Sequence, residues 1–311
     1  MNLKFLLRLI GPLIFIVLVY FYVDLKELKN IIFALKWPFF CVSAAINPIL
    51  IYVRSHRWRI ILAGYGISYS RWQCYTIYFV EMVVIMVVAT VGTLAKVIYL
   101  KRDGYGLLQP ILTVITDKYY DYLLPLIFGL TSVFLVWLKL DSNIGLVVFL
   151  LAVGLAFIPA RRACLLLSSG IIPNRLKTLL FKKEWHIEEH LVHIYSTLNF
   201  RIYIYSVAAF GLYFASIFFL ARGLNLDLSF FQVVLIMTIT SLIAFIPISF
   251  LGIGTRDAGL LVVFSFFGHT PEQAVALSMA LLLLRIAVVF MGSIFWFIDP
   301  PPLGEIKKSN C

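Results

Sequence analysis

The chain contains uncharged apolar runs that are long enough to cross a bilayer as helices. Crossing a hydrocarbon layer about 30 Å thick takes roughly 20 apolar residues, with about 17 as the lower limit. Five such runs are 9–23 (extended back to Phe5), 37–53, 122–138, 143–160 and 202–221, and a sixth span, 273–298, has one charge inside it, Arg285. Since only 13% of the residues are charged and 62% are hydrophobic, the polar surface of a soluble domain is missing. The sequence predicts an all-α, polytopic membrane protein, with about six full spans in a single domain over residues 1–311.

This composition excludes a soluble enzyme, a secreted disulfide scaffold and a disordered chain. The net charge of +11 is typical of a membrane protein whose loops face anionic lipid, so we expect no nucleic-acid partner. Cysteines without paired spacing, and the lack of nucleotide-binding, hydrolase or metalloprotease motifs, predict no catalytic residue, no cofactor and no metal site.

Two further apolar stretches do not fit single spans. The uncharged run 82–95 has 14 residues, which is about 21 Å of helix and too short to cross alone. The uncharged run 228–255 has 28 residues, which proline and glycine interrupt, and the apolar run 258–268 follows it. We predict two re-entrant helical hairpins, near residues 75–98 and 229–268.

The distribution of basic residues tests this topology, since cytoplasmic loops are enriched in Lys and Arg. With both termini in the cytoplasm and the hairpins entering from opposite sides, 17 basic residues fall on inside loops and 5 on outside loops. If every run crossed fully, the basic cluster at 161–183 would lie outside. We therefore expect a multi-pass protein of the prokaryotic cytoplasmic membrane, with the first hairpin entering from the cytoplasm.

This arrangement predicts an inverted repeat. The first half-repeat covers about 37–138 and the second about 202–298, with an amphipathic cytoplasmic segment at about 174–200 between them and a short cytoplasmic tail at 299–311. Transporters often bind substrate where the broken helices of such repeats meet near the midplane.

Charged residues inside a membrane are costly and need a partner or a function. Asp117 and Asp121 share one helix face, with Lys118 beside them. This group grips a polar headgroup, couples to protons, or marks a helix end in water. Arg285 lies in the last span and needs a partner, for which Asp257 or the Asp117 and Asp121 pair is suited. Glu81 is either another partner or a hairpin-entry residue in water.

The candidate residues fall into four sets by residue type. The candidate headgroup-binding cations are Lys96, Lys118, Arg256 and Arg285. The candidate charge-balancing or proton-coupling carboxylates are Asp117, Asp121 and Asp257. The residues that would break the helices and present backbone N–H groups to an anion are Gly92, Pro247, Ser249, Gly252 and Gly254. The end of the second span is interpreted as a basic and aromatic interfacial anchor formed by Arg54, Arg57, Trp58 and Arg59.

Two of these patterns have alternatives. The break in the second hairpin, at Pro247 to Gly254, is only a structural turn if Arg256 and Asp257 do no more than neutralise each other. In segment 184–198, one helix face carries His186, Glu189, His190 and His193. This spacing suits zinc, but we interpret it as the wet face of a helix on the membrane surface.

In these residues the chain resembles the lysylphosphatidylglycerol synthase transmembrane-region family, the flippase-like membrane proteins, over roughly residues 5–298. The resemblance rests on the basic-Trp end of the second span, on the two hairpin breaks, and on Asp117-Lys118, Asp121, Arg256-Asp257 and Arg285. The sequence departs from the family pattern at Ala89, Thr90, Thr93, Lys96 and Asp257. The family has a proline and a Gly-Glu pair in the first hairpin, an Arg after it, and Arg-Glu in the second. The missing carboxylate at Thr93 implies a different headgroup.

The resemblance implies a protein that handles lipids. The soluble aminoacyl-transferase domain of multidomain relatives is not found in this sequence, so we expect no synthesis of lysylphosphatidylglycerol. Our leading hypothesis is a translocase for a phospholipid or polyprenyl-linked lipid, whose partners are anionic or headgroup-modified membrane lipids. The alternative is an accessory or structural subunit beside a lipid- or glycan-modifying enzyme of glycolipid or polysaccharide biosynthesis. A third hypothesis, an intramembrane transferase, has no visible donor site.

Overall fold

The computed structural model describes residues 20–21, 23–138, 142–155, 200–244 and 255–300, and these residues contain helices and no strand. The helices are α1 (Leu25–Phe33), α2 (Trp37–Gly64), α3 (Arg71–Val88), α4 (Ala95–Arg102), α5 (Leu108–Leu138), α6 (Ser142–Leu155), α7 (Phe200–Gly223), α8 (Phe230–Ala244), α9 (Thr255–Phe266) and α10 (Pro271–Ile298). A short 3₁₀ helix, Ala89–Leu94, connects α3 to α4.

Three of these helices, α2, α7 and α10, are long and apolar enough to cross a membrane. They contain the predicted spans 37–53, 202–221 and 273–298. The predicted span 122–138 forms the second half of α5, and α6 covers most of 143–160. The all-helical class is confirmed, whereas the count of six full spans stays a prediction.

Several predictions fall on parts of the chain outside the described residues. They concern most of the first span, residues 174–199 of the amphipathic segment with its histidines, residues 301–311 of the tail, and the residues of the predicted break in the second hairpin, Pro247, Ser249, Gly252 and Gly254.

Large apolar side chains lie on the outside of the helices. Leu130, Phe290 and Phe297 are 71%, 75% and 86% exposed. Apolar surface of this kind is unfavourable in water, so these faces are suited to lipid.

Helices α2 and α7 pack along each other in antiparallel orientation. The backbone N–H of Lys36, just before α2, donates to the carbonyl oxygen of Gly223 at the end of α7, at 2.9 Å. Arg57, near the other end of α2, donates from Nη1 to Ser206 Oγ near the start of α7, at 3.3 Å.

Helices α3 and α4, with the 3₁₀ helix between them, form a hairpin that we call hairpin A. The 3₁₀ helix packs closely on α3, because a Cβ on Gly92 would lie only 2.5 Å from the backbone nitrogen of Ile85. Helix α3 has 18 residues and α4 has 8, against 28 in α2. These lengths are about 27, 12 and 42 Å at 1.5 Å per residue, so each arm of hairpin A is much shorter than α2.

The two ends of hairpin A meet. Tyr69, before α3, donates its hydroxyl hydrogen to Asp103, after α4. Burial and this hydrogen bond to Asp103 raise the pKa of the Tyr69 phenol well above its usual range, so the phenol stays protonated as the donor. The chain therefore enters and leaves hairpin A at the same end of the molecule.

Helices α8 and α9 pack against each other as hairpin B. A Cβ on Gly259 would lie 2.9 Å from the Ile243 side chain, so a small residue is needed where these helices touch. Residues 245–254, which include the predicted break, lie between the described parts of this hairpin.

Both hairpins begin with the same capping box, in which a serine and a glutamine three residues later satisfy each other's backbone N–H groups. The N–H of Ser70 donates to Gln73 Oε1 at 2.9 Å, and the N–H of Gln73 to Ser70 Oγ at 3.2 Å. The same two bonds join Ser229 and Gln232, at 2.7 and 3.2 Å. Ser70 and Ser229 therefore hold matching positions at the starts of hairpins A and B.

The turns on either side of the hairpins also correspond. The turn before hairpin A has Gly66 at φ 73°, and the turn before hairpin B has Asn225 at φ 56°. Gly104 ends hairpin A at φ 90° and Gly268 ends hairpin B at φ 73°. Glycine and asparagine are the residues that adopt such positive φ values most readily.

The molecule has two distinct ends. One end, which we call the basic end, has the start and finish of hairpin A, the last residues of α10, and the arginines Arg59, Arg71, Arg102 and Arg201. There Arg102 pairs with Asp299 at 2.7 Å. At the opposite end, the N–H of Asp24 donates to Glu272 Oε1, at the start of α10, at 2.8 Å.

Candidate functional site

Six ionisable side chains of helices α2 to α5 form a closed ring in which opposite charges alternate. In order they are Glu81, Lys96, Asp117, Arg57, Asp121 and Lys118. From the Glu81–Lys96 pair onward, the N–O distances are 2.8, 2.8, 2.6, 2.8, 3.2 and 3.9 Å, the last between Lys118 and Glu81. Three cations balance three carboxylates, so this charge ring is neutral.

The charge ring is closed to solvent on most of its circumference. The side chains of Glu81, Lys96, Asp117 and Arg57 are at most 1% exposed, whereas Asp121 is 13% and Lys118 26% exposed. A buried ion without a partner is strongly destabilising, and the ring gives each buried ion an oppositely charged partner. Its accessible edge is the Lys118–Asp121 pair.

Aromatic and hydroxyl groups surround the inner part of the charge ring. The Lys96 ammonium lies 3.5 Å from the centroid of Tyr78 and 5.1 Å from that of Trp58, where both aromatic faces attract it. Tyr78 donates its hydroxyl hydrogen to Asp117. The Arg57–Ser206 bond connects the ring to α7, so hairpin A, α2, α5 and α7 are held together at this point.

The structure corrects the interpretation of the second span's end as an interfacial anchor. Helix α2 continues to Gly64, and Arg57 and Trp58 within it are fully buried. The guanidinium of Arg57 is stable inside because Asp117 and Asp121 neutralise it. Arg54 and Arg59 are partly exposed. Arg54 lies over the Phe210 ring, 5.3 Å from its centroid, and Arg59 donates to the Tyr69 carbonyl oxygen.

The structure also decides between two alternatives for the carboxylates. Asp117 lies inside α5, nine residues after its start, and has no exposed surface, so the interpretation as a helix end in water is wrong. Glu81 is a buried partner of Lys96, and not an entry residue in water.

A second cluster joins α9 and α10. Arg256 donates from Nε and Nη2 to Asp257 Oδ1, at 3.1 and 2.9 Å, and Ser278 donates to the same oxygen at 2.6 Å. These three residues are 3% to 7% exposed. Arg285 is exposed and lies close enough to Arg256, Asp257 and Tyr213 to interact electrostatically with them. Among the described residues, this second cluster contains two cations and one carboxylate.

Arg285 lies in the middle of its helix. It follows Pro271 by 14 residues and precedes Ile298 by 13, which is about 20 Å from either end at 1.5 Å per residue. Asp121 stands 13 residues after the start of α5, at about the same 20 Å depth. Asp121 follows Gly104 at the same interval at which Arg285 follows Gly268. Equivalent positions in the two halves thus hold opposite charges.

The structure brings the predicted residues into two groups. Lys96, Lys118, Asp117 and Asp121 lie in the charge ring, and Arg256, Asp257 and Arg285 form the second cluster. Gly92 lies at the reversal of hairpin A and not at either cluster. Sequence reasoning missed Tyr78 altogether. Within the described residues, no group of His, Cys, Asp and Glu is arranged to hold a metal ion.

A helical chain with exposed apolar faces and ionic clusters packed between its helices is an integral membrane protein. The chain belongs to the lysylphosphatidylglycerol synthase transmembrane-region family, whose model matches residues 8–295. This match confirms the resemblance stated above. No curated protein and no solved structure gives a significant match to the chain.

Proposed function

We propose that this protein is a lipid translocase, which carries the phosphate-bearing headgroup of a phospholipid or polyprenyl-linked lipid across the membrane. Membership of the family connects the chain to lipid-related processes in membranes. The observation that carries the proposal is Arg285, which is exposed halfway along an apolar helix. Arginine binds phosphate oxygens with good bidentate hydrogen-bond geometry, and charged side chains inside a membrane protein commonly mark the path of a polar substrate.

In this proposal the two clusters have different roles. The second cluster binds the headgroup through Arg285, while Asp257 holds Arg256 in place. The neutral charge ring anchors hairpin A and offers its accessible Lys118–Asp121 edge to the passing headgroup. The lipid tails stay in the hydrocarbon layer. Movement down a concentration gradient needs no nucleotide and no catalytic step.

We further propose that hairpins A and B are re-entrant and that the halves form an inverted repeat. The short helices of hairpin A, the antiparallel packing of α2 and α7, and the matching capping boxes support this topology. In this topology the basic end faces the cytoplasm of a prokaryotic cell, because cytoplasmic faces are enriched in basic residues. Both termini are then cytoplasmic.

The test is a lipid-movement assay with purified protein in liposomes. The panel contains fluorescent lipids with anionic, zwitterionic and lysyl-bearing headgroups, and a polyprenyl-phosphate lipid. We expect movement that depends on the headgroup and falls at least tenfold in Arg285→Gln. Arg222→Gln is the matched control, because Arg222 is an exposed arginine at the end of α7, 45% exposed, and this variant should move lipid at the wild-type rate.

Three results would count against the proposal. They are folded protein that moves no lipid of the panel, equal loss in the two arginine variants, and movement without headgroup preference. The joint replacement Arg256→Leu with Asp257→Leu separates the proposal from the accessory-subunit alternative. A translocase with this change stays folded and stops moving lipid, whereas an accessory subunit keeps its cellular function.

A further inference from the structure

A cavity at the basic end is lined by residues that belong to neither ionic cluster. It has a volume of about 750 Å³, within the range of roughly 300–1,000 Å³ that ligand cavities occupy. Three arginines line it, Arg59, Arg71 and Arg201, together with His56. The charged side chains of the described lining are all basic, and such a lining is suited to an anion.

The lining groups are held in place before any ligand binds. Arg59 donates from Nε to the Tyr69 carbonyl oxygen at 3.0 Å, which fixes the position of its guanidinium. The His56 ring lies between Tyr205, at 4.8 Å, and Tyr52, at 6.4 Å between ring centroids. Its buried Nδ1 has no hydrogen-bond partner within the described part of the chain. A buried polar atom of this kind is costly unless a ligand or water satisfies it.

A second cavity shares one lining residue with the first and differs from it in chemistry. Its volume is about 430 Å³, and it shares Arg71 with the basic cavity. Its other lining residues are apolar or aromatic: Pro48, Ile49, Tyr52, Trp72 and Tyr75. Arg71 therefore stands at the boundary between a basic compartment and an apolar groove. A molecule that fills both has an anionic head and a hydrocarbon tail.

We infer that these joined cavities bind one anionic phospholipid, with its phosphate among Arg59, Arg71 and Arg201 and an acyl chain along Trp72 and Tyr75. Basic pockets between helices bind anionic headgroups, and aromatic side chains are enriched at the same depth of the membrane. The site is distinct from the second cluster, and it holds a lipid whether or not the protein moves lipids. A free phosphate ion would bind the same arginines as a lipid phosphate, but it would leave the apolar groove empty.

The test is lipid binding to purified full-length protein, measured by native mass spectrometry during titration with phosphatidylglycerol or phosphatidylcholine. We expect phosphatidylglycerol to bind at least tenfold more tightly. The double variant Arg71→Gln with Arg201→Gln should weaken phosphatidylglycerol binding at least tenfold, because it removes two cations from around the phosphate. Lys101→Gln is the matched control, an exposed cation at the same end that does not line the cavities, and it should change binding less than twofold.

Both arginines of the double variant are exposed, and an unchanged thermal midpoint checks that the variant is folded. Equal binding of the two lipids overturns the inference, as does an equal loss in Lys101→Gln, which indicates diffuse surface charge. Complete displacement of phosphatidylglycerol by millimolar inorganic phosphate also overturns it, since it indicates a site for the free ion. Trp72→Ala should weaken lipid binding but leave phosphate binding unchanged, and no change in lipid binding contradicts the place of the acyl chain.

Discussion

Hairpins A and B, with the helices on either side of them, share their caps and turns but differ in chemistry. Hairpins A and B begin with the same Ser-x-x-Gln capping box and end at a glycine with positive φ. Counted from these boxes and glycines, the positions of Arg57, Tyr78, Glu81, Asp117 and Asp121 are occupied in the second half by Ser216, Met237, Thr240, Leu281 and Arg285. The first half thus carries a closed, neutral charge ring. The second half lacks most of these charges and has an exposed cation, Arg285, instead. Caps and turns determine the scaffold, while a few buried positions determine what each half can bind.

The contact between the halves repeats as well. Asn47 donates to Ser216 Oγ at 3.2 Å, and Arg57 donates to Ser206 Oγ at 3.3 Å. Ser206 is equivalent to Asn47, and Ser216 is equivalent to Arg57, when each half is counted from its capping box. Exchanging the halves therefore turns one hydrogen bond into the other. One interface contact is made twice, once with an amide donor and once with a guanidinium.

The largest difference between the halves is expected when each central carboxylate is neutralised. Asp117→Asn removes the charge that pairs with Arg57 and Lys96, both fully buried, and should cost about 3–5 kcal/mol. Asp257→Asn removes the charge that pairs with Arg256. Because Arg256 is less deeply buried than Arg57 and Lys96, this substitution should cost only about 1–3 kcal/mol. Thermal unfolding of both variants in one detergent compares them. Equal losses would mean that the charge ring is no more important to stability than the second cluster.

A smaller effect is expected from the glycine at the reversal of hairpin A. Gly92→Ala places a Cβ 2.5 Å from the Ile85 backbone nitrogen, so the hairpin must open, at a cost of about 3 kcal/mol. Gly211→Ala is the control, because nothing lies within 4 Å of its Cβ position. Inside a helix it should be neutral or stabilising by about 0.5–1 kcal/mol. Thermal midpoints that fall equally would show that hairpin A does not need this close contact.

Much of this arrangement could be predicted from the sequence. The runs at 37–53, 202–221 and 273–298 are in spanning helices because apolar length alone determines such helices. The contact of Arg256 with Asp257 follows from adjacency, and the importance of Gly92 follows from its position inside a short apolar run.

The sequence identified the ionisable residues of the charge ring as candidates but did not predict how they pair. The pairing depends on which faces of distant helices meet. Arg57 and Asp117 are 60 residues apart, and no local pattern specifies that contact. One signal was present, since Ser43, Leu50 and Arg57 are evenly spaced at two helical turns and all three are buried. This helical period places Arg57 on the inner face of α2. The basic run around it favoured an interfacial anchor instead.

The repeated interface contact gives a sharper test of how the halves differ. Ser206→Ala removes an acceptor from the Arg57 guanidinium and should cost about 2 kcal/mol, as for hydrogen bonds to charged groups. Ser216→Ala removes bonds to Ser43 and Asn47 and should cost about 1 kcal/mol, as for neutral groups. Denaturant or thermal unfolding of the two variants measures the difference. A larger loss in Ser216→Ala would reverse the order that charge predicts.

The smallest effects, and the only equal ones, are expected at the two capping boxes. Ser70→Ala and Ser229→Ala each remove one cap of a hairpin's first helix and should each cost about 1 kcal/mol. The serines lie at opposite ends of the molecule and share no partner, so the double variant should lose the sum within about 0.5 kcal/mol. Unequal losses would show that the hairpins depend on their caps to different extents. Equal and additive losses, beside unequal losses at Asp117 and Asp257, would separate the two contributions: caps stabilise both hairpins alike, and the ionic residues alone make the halves different.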